Sequence, residues 1–142
     1  MMTKQSFNKQ IVFWGITLLL ALLICSGCSN KVPMAGMVTF EDDGSPLTRG
    51  TVCFVSEVYL ARGHLQSDGT YRISSTGNND GLPPGTYRIY VVDATVTDDA
   101  GVVTTSLIHS RFESPETSGL EFEVDGKTRR FDFTVERAPA RR

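Results

Sequence analysis

Residues 11–24 run apolar for fourteen positions, interrupted only by Gly15 and Thr17, and nothing later in the chain repeats that pattern. As a helix, fourteen residues at about 1.5 Å each span roughly 21 Å, short of the roughly 30 Å hydrocarbon core that a permanent transmembrane helix has to cross. The ten residues before the run carry Lys4 and Lys9 and no acid. A basic start, a short apolar stretch and small residues behind it form the layout of a cleavable export signal. The fold must therefore come from the remainder of the chain, which at ordinary domain size holds a single core.

The whole 142-residue chain has a formal charge of -2; without residues 1–27 it loses two lysines and no acid, leaving twelve basic against sixteen acidic residues, or -4. The basic residues are scattered, so the phosphate-neutralising patch that nucleic-acid binding relies on is not present. Of the three cysteines, Cys25 and Cys28 lie at the end of the leader, which leaves Cys53 alone in the domain and no disulfide framework. Cys53 sits in an apolar strand-like run, where an isolated thiol is ordinarily a small buried hydrophobe.

Behind the leader the chain reads as short strands between turns, with no helical periodicity. Residues 36–41 place Val38 and Phe40 on one face, the alternation of a half-buried strand. Asp42-Asp43-Gly44-Ser45-Pro46 is a turn cluster, and residues 51–57 form a second strand that is apolar on both faces. Residues 59–66 and 70–74 flank Ser67-Asp68-Gly69, a hairpin signal. Leu82-Pro83-Pro84-Gly85 leads into residues 86–94, where Tyr87, Ile89 and Val91 share one face and Arg88, Tyr90 and Val92 the other. Residues 95–118 read as an exposed, mobile connection, with a small hairpin as the alternative. Residues 120–124 and 130–135 are separated by Asp125-Gly126-Lys127, a second hairpin signal, with Phe131, Phe133 and Val135 alternating against Asp132 and Thr134. Seven such strands predict an all-β, seven-stranded antiparallel β-sandwich behind an N-terminal signal peptide. The expected organisation is a leader over residues 1–27, a lipidated cysteine and tether over 28–34, the domain over 35–136 and a tail over 137–142 that frays from Pro139.

Cys25-Ser26-Gly27-Cys28 resembles the lipobox read by bacterial lipoprotein signal peptidase, departing from it in having cysteine, rather than an aliphatic residue, three places before the modified position. That resemblance implies a lipidation site at Cys28: a diacylglyceryl thioether, then an acylated N-terminus carrying palmitate-like chains. Two or more chains hold a protein on a membrane firmly, where one is marginal. It also implies the membrane as partner through that lipid. Ser29, where an Asp would mark inner-membrane retention in some bacteria, points to the outer membrane or cell surface.

The order of the remaining elements resembles small bacterial lipoproteins with a carboxypeptidase regulatory-like domain, also described as transthyretin-like or prealbumin-like. The carriers are Gly36-Met37-Val38-Thr39-Phe40 with Gly44 and Pro46, Gly50-Thr51-Val52, Ser67-Asp68-Gly69-Thr70-Tyr71, Asp80-Gly81-Leu82-Pro83-Pro84-Gly85-Thr86-Tyr87, Ser114-Pro115, Thr117-Ser118-Gly119-Leu120 and Phe131-Asp132-Phe133. The resemblance implies an Ig-like or transthyretin-like sandwich acting as a docking or structural module in the cell envelope, not an enzyme, with an envelope protein or polysaccharide as a further partner.

Other constellations compete with that reading. The transthyretin fold also hosts 5-hydroxyisourate hydrolase, whose C-terminal Tyr-Arg-Gly-Ser signature is replaced here by Ala138-Pro139-Ala140-Arg141-Arg142; His64 and His109 would have to share a pocket with a partner to serve as catalytic bases. Acidic turns at Asp42-Asp43, Asp68, Asp80, Asp98-Asp99 and Glu113 could supply calcium ligands but lack EF-hand spacing, and Asp in a turn commonly serves the backbone. Two distant histidines and one cysteine do not make a zinc site. Lys31 and Lys127 are the lysines available for an isopeptide cross-link, and Tyr59, Tyr71, Tyr87 and Tyr90 could form a binding surface, with core packing the simpler role. The expectation is thus no metal, no cofactor and no catalytic residue, with a carbohydrate- or peptide-binding surface on the 95–118 connection as the alternative function.

Overall fold

Alternation decides the architecture. In the longest strand Tyr87, Ile89 and Val91 are buried while Thr86 and Arg88 are exposed, so one face of an extended segment enters a core and the other meets water. The structure is a computed structural model that describes residues 30–75, 80–97, 99–101 and 103–140. Its elements are β1 (Ala35–Phe40), β2 (Thr51–Val55), β3 (Leu60–His64), β4 (Thr70–Arg72), β5 (Gly85–Val92), β6 (Thr95–Thr97), β7 (Val103–Ser106), a 3₁₀ turn (Ser110–Glu113), β8 (Leu120–Val124) and β9 (Phe133–Val135).

Seven of the strands form two sheets, in the orders β4-β1-β9 and β3-β2-β5-β8, and β6 and β7 form a separate hairpin. Facing residues of the two sheets fill the core: Val38, Phe40, Tyr71, Phe133 and Val135 from one, and Val52, Phe54, Ala61, Tyr87, Ile89, Val91 and Val124 from the other. Phe54 is its hub, with ring centroids 6.3 Å from those of Tyr71, Tyr87 and Phe131. The all-β sandwich expected from the strand pattern is present.

Three details differ from that expectation. The pairing of β1 with β9 is parallel, Val38 opposite Phe133 and Phe40 opposite Val135, while the other strand pairs are antiparallel. Of the two Asp-Gly turns, the second does not close a hairpin. β8 pairs with β5 whereas β9 pairs with β1, so Asp125-Gly126-Lys127 carries the chain from one sheet to the other. The Ser67-Asp68-Gly69 turn does close a hairpin: Gln66 N–H donates to the Thr70 carbonyl at 2.8 Å and Gly69 N–H to the Gln66 carbonyl at 2.9 Å, and Arg62 and Ser74 exchange backbone bonds at 3.0 and 2.9 Å, although β4 pairs along its length with β1. Finally, the 95–118 connection is largely built in: β6 and β7 pair with an irregularity at Val96/Thr97, and Ile108, Phe112 and Ser118 are buried.

Close approach within the three-stranded sheet is set at one point. A Cβ on Gly36 of β1 would lie 1.9 Å from the Phe131 carbonyl oxygen and 2.7 Å from the Tyr71 hydroxyl. Glycine therefore lets the segment leading into β9 pass against β1, and the Tyr71 hydroxyl donates to that same Phe131 carbonyl at 2.6 Å. Burial pushes the Tyr71 phenol far above its ordinary range, which keeps it protonated as a donor. Gly36→Ala is expected to destabilise the domain by about 1–3 kcal/mol or more through overpacking, and Tyr71→Phe by about 1–3 kcal/mol by orphaning a buried carbonyl. Urea unfolding should show the double variant losing less than the two single losses combined, because the groups touch.

Candidate functional site

Cys28, the one residue to which the sequence assigns covalent chemistry, lies outside the described residues, as do the leader and Ser29. What the structure shows is where the chain goes next. Residues 31–34, read from sequence as tether, belong to the fold: Val32 and Met34 are 6% and 2% exposed. Val32 N–H donates to the Leu82 carbonyl at 2.7 Å and Leu82 N–H returns the bond at 2.9 Å. Gly81 makes this possible, since a Cβ there would sit 2.0 Å from the Val32 carbonyl oxygen, and its φ of +83° favours glycine in any case.

Lys31 fastens the same segment. Its Nζ is ion-paired with Asp80 Oδ2, donates to Ser75 Oγ at 3.1 Å and lies 5.7 Å from the centroid of the Tyr59 ring. The Asp80 carboxylate, then Tyr59, hold the ammonium pKa above its ordinary value. Asp80 also accepts from Ser75 N–H at 2.9 Å. Turns 56–59, 80–84 and 125–129 therefore gather at the end of the sandwich where the chain enters, and Arg129 contributes its carbonyl to the Ala35 N–H at 3.1 Å. A shallow pocket at this end is lined by Pro33, Met34, Ala35, Arg72, Ile73 and Arg129.

The remaining candidates are dispersed among structural contacts. His64 shares a 3.0 Å hydrogen bond with Thr51 Oγ1 on the outer face of the four-stranded sheet. His109 accepts from Arg111 N–H at 3.2 Å at the start of the 3₁₀ turn. Asp68 accepts from both the Thr70 N–H and hydroxyl, at 3.0 and 2.6 Å. Glu113 accepts from Ser106 Oγ at 2.7 Å. Asp99 is exposed, and Asp98 lies outside the described residues. Among the described residues, no group of three or more His, Cys, Asp or Glu is arranged to hold a metal ion, and no helix is long and apolar enough to cross a membrane.

Cys53 is buried, 1% exposed, between Arg62 and Tyr90 of the flanking strands. Burial pushes its thiol pKa up, which disfavours the nucleophilic thiolate. Tyr71 and Tyr87 are core residues and Tyr87 donates to the Pro83 carbonyl at 2.9 Å, while Tyr59 and Tyr90 are half-buried. Sequence reasoning missed the role of Arg137, placed in the tail. Its guanidinium donates to Asp42, Asp43 and Ser45 at 2.7 Å each and stacks 3.7 Å over the Phe40 ring, tying the chain end to the first turn. The signal available was the Asp42-Asp43 pair itself, two adjacent acids that call for a cation.

No family model matches the chain, and no curated protein does. Two crystal structures of BcpA, the major pilin subunit of Bacillus cereus, superpose with TM-scores of 0.49 and 0.46 at 14% and 13% identity, covering 77% and 78% of this chain and 30% of theirs. A 9R-lipoxygenase from Cyanothece superposes with a TM-score of 0.38 at 18% identity, covering 78% of this chain and 17% of that one. This chain spans less than a third of the length of each. Likenesses so distant assign it no activity, and the sandwich stands on its own strands and registers.

The acidic turn at the far end gives a test of the local electrostatics. Hydrogen bonds from the Ser45 hydroxyl (2.6 Å) and N–H (2.9 Å), with Arg137 behind them, hold the Asp43 carboxyl down at about 2 from an ordinary 3.8. A depressed folded pKa means the turn's contribution is present above the ordinary value and lost as pH falls through about 2. A carbon-detected NMR titration should find Asp43 ionised down to that pH. Ser45→Ala should move the midpoint upward, and an unshifted midpoint would contradict the assignment.

Proposed function

We propose that this chain is a lipoprotein of the bacterial cell envelope: exported, cleaved before Cys28, acylated on that cysteine and held on a membrane surface, the outer membrane or cell surface rather than the inner membrane. Its single β-sandwich is non-catalytic and serves as a structural or binding module. The observation that carries this reading is the placement of the fold directly behind the modified cysteine. Lys31 is already clamped by Asp80, and Val32 is already hydrogen-bonded to Leu82. A cleavable leader, a small-residue cleavage motif and a self-sufficient domain are the three parts that a surface-anchored module needs.

The chemistry of the described residues supports a module better than an enzyme. The two histidines serve separate local hydrogen bonds, and Cys53 is sealed under Arg62 and Tyr90. The alternative, recognition of a carbohydrate or peptide by residues 95–118, narrows to the β6–β7 hairpin, where Val96 is 40% exposed, because Ile108 and Phe112 further along are committed to the core. Loops on a rigid sandwich are a common place for recognition.

Intact mass of the membrane-extracted protein tests the anchor. The expected species begins at residue 28 and is heavier by two or three acyl chains, and Cys28→Ala should abolish both the cleavage and the added mass. A soluble, unacylated product cut elsewhere would overturn the lipoprotein reading.

A further inference from the structure

The end of the sandwich at which the chain enters is chemically unlike its opposite. Three cations there, Arg72, Lys127 and Arg129, take part in none of the ion pairs among the described residues. Arg72 and Arg129 line the pocket beside Pro33 and Met34, and Lys127 is exposed in the turn before Arg129. Among the described residues, the other charges at this end are two neutralised pairs, Lys31 with Asp80 and Arg130 with Asp132, and three acids, Glu57, Glu123 and Asp125. Asp125 is occupied in accepting from the Lys127 and Thr128 N–H groups at 2.9 and 2.8 Å. Three free cations thus balance three acids, and this end is close to neutral. The far end instead carries Glu41, Asp42, Asp43, Asp68 and Asp93 against Arg49 and Arg137.

The entry end also exposes apolar side chains. Val58, at the tip of the β2–β3 turn, is 93% exposed and Leu60 beside it 42%. Between them Tyr59 lies under Lys31, so this turn stands next to the point where the chain arrives. A single exposed valine is ordinary on a soluble surface. A valine, a leucine and a tyrosine beside unpaired arginines and a lysine match the composition that settles at a lipid headgroup layer.

Chain length supplies the occupant. From Cys28 to Lys31 are three residue steps, at most roughly 11 Å at full extension. The polar layer on each side of a bilayer is about 5–8 Å thick. An acyl anchor at Cys28 therefore keeps the entry end within a few ångströms of the headgroups even at full extension. The far end lies about 26 Å away along an eight-residue strand such as β5. That is several Debye lengths at physiological salt, so its acids are little repelled by the same surface.

We propose, resting on the lipoprotein reading, that the end bearing Val58, Leu60, Arg72, Lys127 and Arg129 docks on the anionic phospholipid surface into which the Cys28 lipid inserts, fixing the sandwich upright with its acidic end outward. Val58 and Leu60 enter the headgroup layer, and the three cations meet lipid phosphates.

Trp14, in the leader, is the chain's single tryptophan, so the cleaved protein is free of indole and reporters can be placed at will. The full-length gene carrying V58W or T48W is expressed, and the acylated product, verified by mass and circular dichroism, is reconstituted into phosphatidylethanolamine vesicles containing phosphatidylglycerol. Thr48 is exposed at the far end. The V58W indole should emit at shorter wavelength and be quenched severalfold more by headgroup-proximal nitroxide lipids than the T48W indole. Adding K127E and R129E to V58W should lessen that quenching, and phosphatidylcholine vesicles should do the same. Equal quenching of the two reporters, or none of either, in a protein that carries its acyl chains would overturn the docked orientation and leave the lipoprotein reading standing. A product without acyl chains would overturn both.

Discussion

Tyr71 lies where the three strands of the smaller sheet are drawn together. Its ring sits beside Phe54 and Phe133 in the core, and its hydroxyl reaches across to the Phe131 carbonyl just before β9 begins. That contact requires Gly36 between them, because any larger residue would occupy the space of the carbonyl. Strand order, core filling and the turn from β8 to β9 depend on this approach. With the Phe131 segment displaced, Phe131 would lose its 4.6 Å neighbour Phe122 and its stacking on Phe133. A buried phenol is an effective clasp in this position: its apolar body adds to the core while its one donor satisfies a carbonyl that the sheet ladder leaves over.

Much of this was legible from alternation alone. The faces of β5 and the inward side of Phe133 and Val135 follow from period-two patterning, and the burial of Cys53 follows from its apolar neighbours. The partners of the strands were less legible, for a physical reason. Asp68-Gly69 and Asp125-Gly126 announce reversals of the chain, and reversals do occur there. A tight turn sets local geometry, yet whether the next strand rejoins the same sheet depends on where its apolar face finds cover, which is a property of the whole core. Hence the second turn crosses between sheets, while the first closes its hairpin at Gln66–Thr70 and Arg62–Ser74 even as β4 pairs with β1.

The candidate site was less legible still. Lipidation at Cys28 rests on a short motif. Nothing in the spacing of Lys31, Asp80 and Tyr59 foretells that they meet, since they are far apart in sequence and joined only by the fold. The same holds at the other end, where Arg137 returns to Asp42 and Asp43 across 95 and 94 positions. Both ends of the domain are therefore secured by side chains that a reading of local composition assigns to a tether and a tail.

The parallel pairing of β1 with β9 has a temporal consequence. The first strand's neighbour on that side, Phe133–Val135, follows it only about 95 positions later in the chain. Until it arrives, β1 has only the three-residue β4 beside it, and the smaller sheet presents Val38 and Phe40 without the strand that covers them. Pairings so distant in sequence form late and slowly, because the intervening chain must be ordered before they reward it. A chain that emerges N-terminus first would thus keep its smaller sheet unfinished, and pliable, until residues 133–135 had followed β1 into the open.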